Sequence, residues 1–130
     1  MRDRALSLLA LSAMIALSCG DPQGTTSSGT GGADGGPSCP NDLPASCPAA
    51  VPSYAADIAP LLQLRCSPCH FPGGQTSDKL LATYAEVHAL RGQVLNQVHA
   101  CKMPPATETQ LDAAERKLLF DWLVCGAPDN

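Results

Sequence analysis

Cys66-Ser67-Pro68-Cys69-His70 is the stretch on which the reading of this chain turns. Each residue type in it has a chemical reason. Two thiols one helical turn apart can each add to a vinyl group on one edge of a porphyrin. The imidazole directly after the second thiol then comes under the iron, where a ring nitrogen serves as proximal ligand. C-x-x-C-H is accordingly the attachment signature of a c-type haem. The other uses of a C-x-x-C pair fit less well. A thioredoxin-like dithiol belongs near a βαβ pattern, and the residues before Cys66 do not read as a strand. A tetrahedral zinc site calls for a second Cys/His pair at similar spacing, and none follows.

Outward from the motif, the chain divides into three zones. The 130 residues are of one-domain length. Residues 1–18 read as a secretory leader. Arg2 and Arg4 open it, an apolar run from Ala5 to Leu17 follows, and Ser18-Cys19-Gly20 ends it. The run is too short to span a membrane. A cysteine at this point favours the lipoprotein variant, with Cys19 as the acylated N-terminus, over an ordinary cleaved signal. Residues 19–49 read as a flexible tether. Asp21 to Ser38 is almost wholly Gly, Ser, Thr, Asp, Pro and Gln, which cannot bury enough apolar surface to offset ordering. Residues 50–130 are left as the globular domain. Its few aromatic residues make a small core, marginal without staples or a cofactor. A haem would supply much of the missing interior.

The domain reads as all-α, with no alternating β-branched run for a strand pair. A first helix starts with Asp57 as N-cap, with Pro60 in its first turn and Ile58, Leu61 and Leu62 on its apolar face. It delivers Cys66 at its end, and Phe71-Pro72-Gly73-Gly74 breaks the chain after His70. A second helix covers Tyr84 to His99, marked by the stripe Tyr84, Val87, Leu90, Val94 and Val98. Gly92 weakens it or admits something flat. A third helix has Asp112 as N-cap and Glu115 as its capping-box partner. Leu118, Leu119, Trp122 and Leu123 form its buried face, and Gly126 its C-terminal cap.

Cys101-Lys102-Met103-Pro104-Pro105 is the second informative stretch. A methionine before two prolines cannot lie inside a helix, so it sits on a stiff loop between the second and third helices. A thioether is a soft neutral ligand suited to haem iron, and His/Met ligation raises the reduction potential. The ordinary alternative is a methionine filling an apolar gap. His88 and His99, eleven residues apart on one helix face, are rival sixth ligands. Their commoner fate is a surface or hydrogen-bonded histidine.

With Cys19 assigned to lipid and Cys66 and Cys69 to haem, Cys39, Cys47, Cys101 and Cys125 remain. An even number in an exported protein supports disulfides, with three pairings open. The sequence reading prefers Cys39–Cys47, closing a small proline-rich loop, and Cys101–Cys125, tying the segment after the second helix to the end of the third. Beyond the leader, residues 20–130 carry six Lys or Arg against eleven Asp or Glu, a net charge near −5. That argues against a nucleic-acid partner.

Taken together, Cys66, Cys69 and His70, then Met103-Pro104, then Glu115, Leu119 and Trp122 resemble a single-haem class I-type cytochrome c domain in its bacterial lipoprotein form. The resemblance covers about residues 53–127. It implies one covalent haem c, axial ligation by His70 and Met103, an all-α fold and one-electron transfer. It also implies redox-protein donors and acceptors, and an envelope location facing the periplasm, held to a membrane by the Cys19 lipid. There are departures. The first helix lacks the Gly and aromatic pair many members use where the terminal helices cross, and the cysteines at 101 and 125 are not general. The expected role is an electron carrier, not an enzyme. The alternative is a haem enzyme, or a gas- or peroxide-reactive haem protein, with a displaceable sixth ligand.

Overall fold

A computed structural model describes residues 39–130, and these contain helices and loops but no β-strand. A π-helical turn, Tyr54–Ile58, runs directly into α1, Ala59–Arg65. The longest helix, α2, spans Tyr84–His99, and α3 spans Ala113–Val124. The all-α expectation holds for the described residues. None of their helices is long and apolar enough to cross a membrane.

The first helical segment begins a turn earlier than Asp57 would set it. Ser53 is the N-cap, its Oγ accepting from the Ala56 N–H at 3.3 Å. Asp57 instead reaches back, its Oδ2 accepting from the Ser53 N–H at 2.8 Å. The two residues share the capping work that the sequence assigned to one. Pro60 explains the wide turn ahead of α1. Its ring would press on the carbonyl four residues before it. Wider pairing relieves that contact: the Ala59 N–H donates to Tyr54 O, five residues back.

Both later helices carry full capping boxes. Thr83 and Glu86 close α2, and Asp112 and Glu115 close α3. The third helix stops because Gly126 takes φ +87°, where a side chain would be strained. The Ala127 N–H then donates to Trp122 O at 3.0 Å, and the Tyr84 hydroxyl donates to Ala127 O at 3.0 Å.

The core gathers Ile58, Leu61 and Leu62 from the first helical segment with Leu81, Val87, Val94 and Val98. Leu111, Leu119, Phe120, Trp122 and Leu123 complete its far side. Trp122 is fully buried, and its indole N–H donates to Pro128 O at 2.9 Å, so no polar group is stranded. Tyr54 supplies the aromatic contact where the first and last helices meet. Its ring lies 5.7 Å from that of Trp122 and 5.0 Å from that of Tyr84. Each such aromatic pair is worth roughly 0.5–1.5 kcal/mol beyond its buried area.

Two expectations about the N-terminal part are corrected. The disulfides are Cys39–Cys101 and Cys47–Cys125, not Cys39–Cys47 and Cys101–Cys125. The expected tether of residues 19–49 therefore does not extend to residue 49. Residues 39–49 belong to the domain as a strap laid along α3. Asp42 pairs with Arg116 in the first half of that helix, and Cys47 bonds to Cys125 at its end. Nine helical residues rise about 14 Å, a span five extended residues can match. The sequence preference was for a small proline-rich loop and a tie between two helix ends, but packing decides which sulfurs meet. The leader of residues 1–18, the Cys19 lipidation site and the tether up to residue 38 lie outside the described residues.

Candidate functional site

The end of α1 carries the haem-type motif on one further hydrogen-bonded turn. The Cys66 N–H donates to Leu62 O at 2.8 Å, continuing the helix. The Cys69 and His70 N–H groups then both donate to Cys66 O, at 3.2 and 3.0 Å. This spacing places Cys66, Cys69 and His70 on one face, as positions i, i+3 and i+4.

His70 is held in a defined orientation. Its Nδ1 lies 2.8 Å from the carbonyl oxygen of Lys79. A carbonyl only accepts, so Nδ1 carries the proton, and in the neutral ring Nε2 is the nitrogen with the lone pair. That is the arrangement by which a ligating imidazole is fixed in tautomer and angle. The loop 71–81 supplies this carbonyl. The Leu81 N–H donates to His70 O at 3.0 Å, and buried Leu81 anchors the loop in the core. Thr76 donates to Cys69 O through both its backbone N–H and its Oγ1, each at 3.2 Å. Gly74 makes this closure possible. A Cβ there would stand 2.5 Å from Cys69 O and 2.7 Å from the Phe71 ring.

Of the two motif cysteines, Cys69 is disulfide-bonded, whereas the Cys66 thiol is not in a disulfide and packs against the core. Burial pushes its pKa up to about 11. Beside it the Ser67 hydroxyl is buried and has no hydrogen-bond partner. An orphaned polar group, an apolar-walled thiol and an imidazole with a directed lone pair meet within five residues. The Cys66 thiol and the His70 imidazole would fit a covalently held group with a metal centre as they stand, and Cys69 would fit it only as a thiol.

Met103 follows α2 on the expected loop. The Lys102 and Met103 N–H groups both donate to Gln97 O, at 2.9 and 3.2 Å. Met103 is partly buried against the same core that Cys66 touches, and Pro104 is buried. The structure thus brings the attachment turn and the Met103 loop onto one apolar body. The rival histidines have other company. The His88 ring lies 5.4 Å from Tyr84, and the His99 ring 6.1 Å from Phe120. Among the described residues, no group of three or more His, Cys, Asp and Glu gathers in a way that could hold a metal ion.

Two ion pairs frame the site. Arg65, immediately before Cys66, meets Glu115 through two guanidinium nitrogens, with Nη2 2.8 Å from Oε1 and Nε 2.9 Å from it. This ties the attachment helix to the capped start of α3. Arg116 is nearly buried and gathers more. It pairs with both carboxylate oxygens of Asp42 at 2.7 and 2.8 Å, donates to Val98 O at 2.9 Å, and covers the Phe120 ring at 5.0 Å. The Arg116 hydrogen bonds hold the Asp42 carboxyl below its ordinary value, and the same pair raises Arg116.

Lys79, Gln110 and the Asp42–Arg116 pair escaped the sequence reading, which took Gly74 only as part of a chain break. For Arg116 a signal was there. It falls on the same helical stripe as Leu119, Phe120 and Leu123, and a charge in an apolar stripe needs a buried partner. The role of Lys79 is carried by its backbone oxygen, for which its side chain gives no sign.

Comparison of the chain with protein-family models, with curated proteins and with solved structures finds no match.

Proposed function

We propose that this domain is a c-type cytochrome that carries single electrons. The observation that carries the reading is the hydrogen bond of His70 Nδ1 to Lys79 O, which directs Nε2 as a ligand within a C-x-x-C-H turn. Cys66 and Cys69 would hold the porphyrin through two thioethers, each thiol adding its sulfur and its hydrogen across one vinyl group; Cys69, disulfide-bonded in this structure, would first have to be reduced by a dithiol reductant, whose own two thiols become the disulfide. His70 and Met103 would be the iron's two protein ligands. Bound there, haem c supplies a reversible one-electron iron couple. The chain supplies the rest. Lys79 O fixes the imidazole, and the core under Cys66 and Met103 keeps the surroundings apolar. Retaining both ligands favours moving electrons over transforming a substrate. The proposal extends to the chain outside the described residues: export by residues 1–18, a lipid on Cys19 as membrane anchor, and redox proteins at the bacterial envelope as partners.

The test is the full chain produced alongside a haem c maturation system. The expected product keeps its haem through acid and organic solvent, shows a methionine-to-iron charge-transfer band when oxidised, and resists carbon monoxide when reduced. Matured protein without covalent porphyrin would overturn the reading. Covalent haem with fast, tight carbon monoxide binding would favour the enzyme or gas-reactive alternative.

A further inference from the structure

Met103 is followed by Pro104 and Pro105, neither of which has an N–H to donate. The backbone after the sulfur therefore cannot hold itself by its own amides. A side chain does so instead. Gln110 Nε2 lies 3.2 Å from Pro104 O, 2.8 Å from Pro105 O and 3.1 Å from Glu108 O. A primary amide has two protons, so it serves these oxygens by sharing. The Glu108 N–H adds a bond to Pro105 O at 2.8 Å. On the other side of Met103, Gln97 O holds residues 102 and 103 to the end of α2. Gln110 is followed by buried Leu111 and by Asp112, the N-cap of α3. The methionine is thus suspended between the end of one helix and the start of the next, with Gln110 as the downstream anchor.

We infer that Gln110 is a positioning residue that fixes the depth and direction of the Met103 thioether. The inference rests on the proposed His70/Met103 ligation. Without the Gln110 donors, the two prolines keep the loop stiff but no longer seat it, and the sulfur dwells less at the iron. Gln110 is itself exposed, so replacing it does not open the core.

Two variants of the haem-loaded full chain test this. Gln110→Leu removes both donors, and Gln110→Glu keeps the shape while turning acceptors toward the three carbonyls. The readouts are the methionine-to-iron band of the oxidised protein and the rate of carbon monoxide binding to the reduced one. Both variants are expected to weaken the band and to speed carbon monoxide binding about tenfold, the scale of a lost hydrogen bond. The urea midpoint should stay close to that of the unchanged protein. Met103→Ala is the comparator. If Met103→Ala leaves band and rate unchanged, the ligation itself is wrong. If it abolishes the band while both Gln110 variants stay within about twofold of the original rate, the positioning role alone fails. A band lost only in step with a collapsed urea midpoint would also overturn it.

Discussion

The C-x-x-C-H turn and the Met103 loop face the same core but are built on different principles. The first is local. The hydrogen bonds described above for the run from Cys66 to Leu81 join residues within eleven positions of one another. The second is seated locally by Gln97 and Gln110, but the chain that leads into it is tied down from afar. Met103 lies two residues beyond Cys101, whose disulfide reaches back to Cys39, 62 positions earlier. Arg116 binds Asp42, 74 positions before it, and the end of α2 at Val98 O. A motif that folds on itself can be read in five letters. A loop entered from a helix end that a strap and a buried cation tie down cannot. The two halves should therefore fail in different ways.

The largest effect is expected on the strap side. Replacing Cys47 and Cys125 together by Ser releases a bridge spanning 78 positions. In the chain-entropy model a closed loop of that length is worth about 4 kcal/mol. Urea unfolding should register a loss of that order. If it falls by less than about 1 kcal/mol, the strap is not the staple described here.

Arg116→Met comes next, with an expected loss of about 3 kcal/mol, because it strands the Asp42 carboxylate and the Val98 carbonyl. Its acid behaviour sharpens the test. The folded pKa of Asp42 is depressed, chiefly by its Arg116 hydrogen bonds. Its contribution is therefore present above the unfolded value of 3.8 and is lost as pH falls through the lower folded value. Unfolding curves taken at neutral pH and well below the unfolded value should show this loss in the original chain. The part due to Asp42 should vanish in Arg116→Met, and an unchanged acid slope would remove Asp42 from the account.

On the local side, Gly74→Ala should cost about 1–3 kcal/mol, since the new methyl meets backbone at Cys69 O. The same variant should disturb the His70–Lys79 contact, visible as a shifted imidazole resonance. Gly92→Ala is the smallest effect and of opposite sign. Nothing lies within 4 Å of a Cβ there. In the middle of exposed helix, alanine should add about 0.5–1 kcal/mol. A loss at Gly92 would mean that a flat body does approach this face, as the sequence reading allowed.

The helices were legible to a useful depth. Both bounds of α2 follow from its apolar stripe and flanking residues, and the Asp112–Glu115 box marks the start of α3. The first helix was read one turn late. Asp57 and Pro60 together look like a start signal, whereas Ser53 and a widened turn let the chain enter earlier. The pairing of the four cysteines was not legible, because sequence distance ranks closures by entropy while the sulfurs meet where helix ends are packed.

The sequence alone determined the chemistry the domain can bear: two thiols and an imidazole at fixed spacing, a thioether before two prolines, and amphipathic helices without strands. Those are properties of residue type and period, and they survive without knowing what lies across the core. Only the tertiary structure decided the orientation of His70, because the partner is a backbone oxygen nine residues away. It alone decided that residues 39–49 are a strap and that Gln110 holds the loop of Met103. Each of these depends on atoms brought together by packing, and packing is a sum over the whole chain that no short stretch encodes.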